Sequence, residues 1–138
     1  MSNVERFTFS EVEPLVGMAS LLPYLPLTLI NGNTHIGVSC LLDTGSTVNV
    51  MPYNIGLQLG AVWDKQTIPI SLSGSLADLE ARALLVSARV GGFDPVRLIF
   101  AWTQSNDAPL LLGQVNFFME FDVYFSRSRS FFEVQPKK

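Results

Sequence analysis

The chain has 138 residues, 48% of them hydrophobic and 15% charged, with nine basic and twelve acidic side chains for a net charge of −3. That length fits one domain able to bury its own core, and the charge balance offers no basic stripe for nucleic acid. A single cysteine, Cys40, excludes an intrachain disulfide and cysteine-based metal spacing; with no secretory pattern in MSNVERF, it points to a reducing, cytoplasmic setting.

Residues 5–13, where Phe7 and Phe9 alternate with polar neighbours, read either as an edge strand or as a pro-like extension. Residues 1–14 are accordingly taken as an N-terminal unit of one domain covering 1–138. The apolar run 15–30 contains Pro23 and Pro26 and is shorter than the ~20 residues of a bilayer span, so it reads as strand and turn and not as a membrane segment. LTLI and THIGVSCLL flank Asn31-Gly32-Asn33 and predict a β-hairpin whose turn residues accept positive φ. Its second strand runs directly into Asp43. The segment VNVM alternates again, and Pro52 closes it.

Residues 68–72 and 81–90 predict a second hairpin around the flexible turn Ser73-Gly74-Ser75, with Gly91-Gly92 ending the return strand. The piece LEARALLV has helix-forming residues, yet it lies among strands and lacks a cap, so strand is the expectation. VRLIFAW, residues 96–102, is a further strand, followed by a polar loop over 103–108. Leu110-Leu111-Leu112-Gly113 is a short buried run. In QVNFFMEF the spacing of Val115, Phe118 and Met119 predicts a helix over 114–121, the only one in the chain. Phe121, Val123 and Phe125 alternate, residues 126–129 make a polar turn, and Phe131, Phe132 and Val134 form a last strand before a tail at 135–138. The fold class is all-β with one short C-terminal helix. The high apolar fraction predicts that some surface is buried against a partner chain.

The catalytic inventory narrows the chemistry. His35 is the only histidine, on a hairpin strand where an exposed imidazole is expected, and no G-x-S-x-G elbow presents a serine. Cys40 reads as a small buried hydrophobe. No phosphate-binding glycine loop and no paired carboxylates at Ca²⁺ spacing occur, so neither metal nor cofactor is expected. Asp43 remains: a carboxylate set against an apolar strand costs free energy unless it is hydrogen-bonded. An Asx-turn accounts for it structurally. A reaction accounts for it if two such carboxylates share a proton and activate a water. Asp64, Asp78, Asp94, Asp107 and Asp122 lie in polar or turn contexts, so the second carboxylate would come from a second copy of the chain.

Asp43-Thr44-Gly45-Ser46, preceded by Leu41-Leu42, resembles the active-site signature of aspartic peptidases, and Leu111-Leu112-Gly113 resembles that family's second hydrophobic-Gly element. Their separation, with a hairpin between them in a half-sized chain, is similar to the single-lobed retropepsin-like branch over roughly residues 22–135. The resemblance implies a closed β-barrel assembled as a symmetric homodimer, with Asp43 catalytic and Gly45 presenting its N–H to the carboxylate. Thr44 would brace the dimer across the axis. Ser46 would add a hydroxyl hydrogen bond to the charged form, implying an acidic pH optimum. The hairpin carrying Ser73, Gly74 and Ser75 would be the flap, and Phe131, Phe132 and Val134 would join Thr44 at the dimer interface. Gln114 and Thr47 stand where many viral members carry an Arg and its acidic partner, which implies a different brace. The implied activity is cleavage of polypeptide between apolar residues, inhibited by hydroxyl-bearing analogues such as pepstatin. The alternatives are a catalytically silent peptide-binding dimerisation module and a zymogen-like state with the N-terminal segment in the cleft.

Overall fold

A computed structural model describes residues 3–11 and 21–138. The expectations for residues 12–14 and for the apolar run 15–20 lie outside the described residues. Ten strands are described: β1 (Glu5–Thr8), β2 (Tyr24–Asn31), β3 (Thr34–Leu42), β4 (Asn49–Met51), β5 (Pro69–Ile70), β6 (Ala81–Arg89), β7 (Val96–Thr103), β8 (Leu111–Leu112), β9 (Phe121–Ser126) and β10 (Phe131–Pro136). Two short helices accompany them, α1 (Tyr53–Gln58) and α2 (Phe117–Glu120).

The main sheet has the order β2-β3-β8-β4-β7-β6-β5, and β2 also pairs with β6. That last pairing, Thr28 to Ile30 against Ser87 to Arg89, closes six strands into a barrel and removes the open edges between them. The β2–β3 hairpin turns through Gly32 and Asn33; of the two, only Gly32 takes a positive φ, 57°. Along β2, Leu25, Leu27 and Leu29 are buried while the residues between them are not, as a period of two requires for a sheet with one face inward. LEARALLV is strand from Ala81 onward: β6 pairs with β7 from Ala81↔Thr103 to Ala88↔Val96, while Leu79 and Glu80 belong to the preceding loop.

The remaining strands form a separate antiparallel sheet, β1-β10-β9. Residues 5–8 are therefore an edge strand, paired Glu5↔Val134 to Thr8↔Phe131. Phe132 is fully buried and touches the rings of Phe7, Phe9 and Phe125 at 5.4, 6.1 and 6.3 Å. This sheet and the barrel interior share one large apolar core. Residues 135–138 are not simply a tail: β10 continues to Pro136, and the Lys137 ammonium meets the Glu120 carboxylate at 2.7 Å.

Two helix expectations need correction. The chain has a helix after Pro52: α1 carries Gly56 at a point where a Cβ would run into the Trp102 ring. Trp102 also stacks on Tyr53 at 5.5 Å and donates its indole N–H to the Tyr53 carbonyl. A six-residue helix of this kind is stabilised by tertiary packing and not by its own propensity, which is why its sequence carries no signal. The second helix is shorter than 114–121 and shows a different face. Phe117 is fully buried, stacked on Phe121 at 5.0 Å, while Val115 and Met119 are 48% and 61% exposed. Residues 114 and 115 are held by loop hydrogen bonds, Gln114 N–H to the Ser46 carbonyl and Val115 N–H to that of Thr47, so the helix starts later and in another register.

Candidate active site

Asp43 stands at the mouth of the barrel because of how three strands meet. β3 delivers it, β4 leaves from the loop that follows, and β8 lies between these two strands, parallel to β3 through Leu41↔Leu111 and Leu42↔Leu112 and antiparallel to β4 through Val50↔Leu111. The loop of residues 43–48 therefore arches over the end of β8. The Asp43 N–H donates to the Leu112 carbonyl at 2.9 Å, which fixes the backbone where the strand ends. Two of the elements singled out in the sequence, Asp43-Thr44-Gly45-Ser46 and Leu111-Leu112-Gly113, are thus brought together.

Within the loop, the Gly45 N–H donates to Asp43 Oδ1 at 3.0 Å and the Ser46 N–H to the Asp43 carbonyl at 3.1 Å. Asp43 is partly buried, Thr44 and Gly45 are exposed, and the carboxylate is presented at the rim. The Ser46 hydroxyl does not reach it: Oγ donates to the Val48 carbonyl at 2.7 Å. The acidic-optimum argument through Ser46 therefore loses its hydrogen bond, because that hydroxyl is spent closing its own turn.

Gly113 passes so close beneath the loop that a Cβ there would collide with the carbonyl oxygens of Val48 and Ser46. Gln114 Nε2 donates to the Thr44 carbonyl at 2.8 Å. A neutral amide thus ties the second element to the loop, in the position where the sequence comparison with viral members left an ion pair missing. Asn49 was not legible as a site residue. It is fully buried, accepts the Gly113 N–H on Oδ1 at 2.8 Å, and donates through Nδ2 to the Ile99 carbonyl and Asn116 Oδ1. Asn116 in turn accepts from Ile99 N–H and donates to the Arg97 carbonyl, continuing the β7 ladder beyond β4 with a side chain. The available signal was a polar residue between two valines of a buried strand, where an amide must find partners.

The other expected site residues are elsewhere. Ser73, Gly74 and Ser75 are exposed at the tip of the loop between β5 and β6, where Gly74–Leu76 makes a 3₁₀ turn and Gly74 takes φ 62°. Phe131, Phe132 and Val134 have relative exposures of 6%, 0% and 0%. The expectation is that they face a partner; instead Phe132 and Val134 point into the core shared with the barrel, and Phe131, on the opposite face, lies under the Arg6 and Arg129 guanidinium groups, so in this arrangement they offer no free surface. Arg6 contributes to that cover, lying over the Phe131 ring at 3.9 Å and pairing with Glu133 at 2.8 Å. His35 is exposed. Cys40 is fully buried, and burial pushes its thiol up, toward the neutral form. Among the described residues no cluster of three or more His, Cys, Asp or Glu could hold a metal ion, and no helix is long and apolar enough to cross a membrane.

No protein-family model matches the chain, and no curated protein does. Among solved structures, a retropepsin-like aspartic protease from Rickettsia conorii is similar, with a TM-score of 0.63 and 12% sequence identity over 95% of this chain and 90% of that one. At that identity the likeness speaks for architecture, and it agrees with the barrel closure described above: the chain has a retropepsin-like, mostly β fold.

Proposed function

We propose that this chain is one half of an aspartic endopeptidase that works as a symmetric homodimer. The observation that carries the reading is the Asp43 loop itself. A carboxylate is held at a barrel rim by the Gly45 N–H, above a glycine that admits no side chain, in a fold shared with a retropepsin-like aspartic protease. In the dimer, two Asp43 carboxyl groups share one proton. The ionised one takes a proton from a water as its oxygen bonds to the scissile carbonyl carbon, and the protonated one gives its proton to the carbonyl oxygen. The resulting tetrahedral diol collapses as the C–N bond breaks: the nitrogen takes the proton from the carboxyl group that the water protonated, one diol hydroxyl returns its proton to the other carboxylate, and the products are a free acid and a free amine with the one-proton dyad restored. The reaction needs no metal or cofactor.

Full-length protein incubated with a diverse peptide mixture from acidic to neutral pH, with cuts read by mass spectrometry, tests the reading. Cleavage between apolar residues is expected, and Asp43→Asn or Asp43→Ala should reduce it by at least about a thousandfold with an unchanged circular dichroism spectrum. Undiminished cutting by either variant overturns the assignment. Peptide binding with no cutting under any condition supports the silent binding module instead.

A further inference from the structure

A second apolar cluster, separate from the main core, borders the Asp43 loop at both ends. Its floor is Val50, Ala101, Ala108 and Leu111, all buried, and Leu41 and Val48 pack against it from the strand ends that carry the loop. Leu111 is paired directly with both Leu41 and Val50. Three other members come from the lid, the loop of residues 71–80 whose tip, Ser73-Gly74-Ser75, is the expected flap. Leu72 is buried to 9% exposure, Leu76 and Leu79 are half-buried against the same floor, and the remaining lid residues are exposed. The lid thus puts its apolar side chains down and its polar ones outward. Two of the four floor residues are alanines, so the recess is shaped by side chains that the floor lacks and the lid supplies.

The geometry points to an occluded side-chain site: the lid leucines fill the recess that receives a branched aliphatic side chain of a peptide held at Asp43, and that side chain must displace them. This rests on the proposed function for the identity of the incoming chain as peptide, and it adds the side-chain class and a competition within the molecule. Displacement exchanges leucine for leucine, so burial of apolar area nearly cancels and the peptide gains little from its own leucine until the lid is weakened. The lid's attachment is light: β5 pairs with β6 through only two residues, Pro69↔Arg82 and Ile70↔Ala81.

The test uses full-length Asp43→Asn, so that binding is read apart from cutting, and an end-blocked peptide with a central Leu-Leu pair beside its Ser-Ser counterpart. Calorimetry should give weak binding of the Leu-Leu peptide with the native lid, about tenfold tighter binding when Leu76→Ser and Leu79→Ser are added, and in that lid variant no binding of the Ser-Ser peptide. Amide exchange in residues 72–79 should accelerate when the Leu-Leu peptide binds. Equal or weaker Leu-Leu binding by the lid variant, equal binding of the two peptides to that variant, or slower exchange in the lid each overturns the proposal; slower exchange would mean that the lid closes over the peptide with its leucines in place. If the double variant fails to fold, Leu79→Ala alone and the exchange measurement on the unaltered lid decide. Tighter binding by the lid variant, with no cutting by a Leu76→Ser, Leu79→Ser chain that keeps Asp43, leaves the occluded site standing and removes the peptidase reading.

Discussion

At Gly113 an added methyl group would meet the Val48 and Ser46 carbonyl oxygens, which belong to backbone and cannot swing aside. Gly113→Ala should therefore cost about 3 kcal/mol, at the upper end for overpacking, and chemical denaturation should show it as a lower midpoint with an unchanged slope. Cys40 makes the opposite point: a reactive residue type is inert because of where it sits. Its folded thiol is pushed above its unfolded value, so its contribution to stability is full below the unfolded thiol's titration and is lost as pH rises beyond it. A maleimide reagent at neutral pH should label Cys40 only in denaturant; rapid labelling of the native protein would contradict its burial. Both residues were visible in the sequence. Gly113 was singled out by its place after two leucines and Cys40 by its strand, whereas Asn49 stayed hidden because its partners, Gly113 N–H and the Ile99 carbonyl, are 64 and 50 residues away.

Among the elements, the three-stranded sheet most changes what the sequence suggested. Phe132 and Val134 share one face of the strand and Phe131 takes the other, a pattern that fits an interface strand or a core strand equally well, and the choice depends on what each face meets. One face meets the core shared with the barrel, and β1 pairs along the edge of β10, stacking Phe7 on Phe132 and joining Arg6 to Glu133. Phe132→Ala should thus cost about 3–5 kcal/mol, as expected for a large buried aromatic, measured as thermal or denaturant stability. A variant that keeps its stability and loses only self-association would restore the interface reading. The same packing bears on any shortened chain. Removing residues 1–13 also removes β1 and uncovers Phe132, so lost activity in such a chain reports damage to the sheet before it reports an autoinhibitory role.

For the whole molecule, a closed six-stranded barrel leaves one half-site on its rim, and the proposed reaction needs two. Specific activity should therefore rise with protein concentration as dimers form. At fixed total chain concentration, replacing half of the wild-type chains by Asp43→Asn should leave activity at about a quarter of the all-wild-type value after subunit exchange, the share of dimers carrying two native loops. Activity at half the all-wild-type value would mean that each chain works alone.

The sequence by itself determined the strand-rich class, the two hairpins, the Asp43 turn and its glycine, because period-two alternation, turn residues and a short acid-containing loop are local signals. Tertiary structure alone decided that β8 threads between β3 and β4, that Gln114 and Asn49 hold the loop, and that the lid leucines turn inward. It also decided that Ser46 serves its own turn and that β1 claims the last strand. Each of these depends on groups far apart in the chain meeting in space, where burial and hydrogen-bond satisfaction choose among conformations that local propensity leaves nearly equal in free energy.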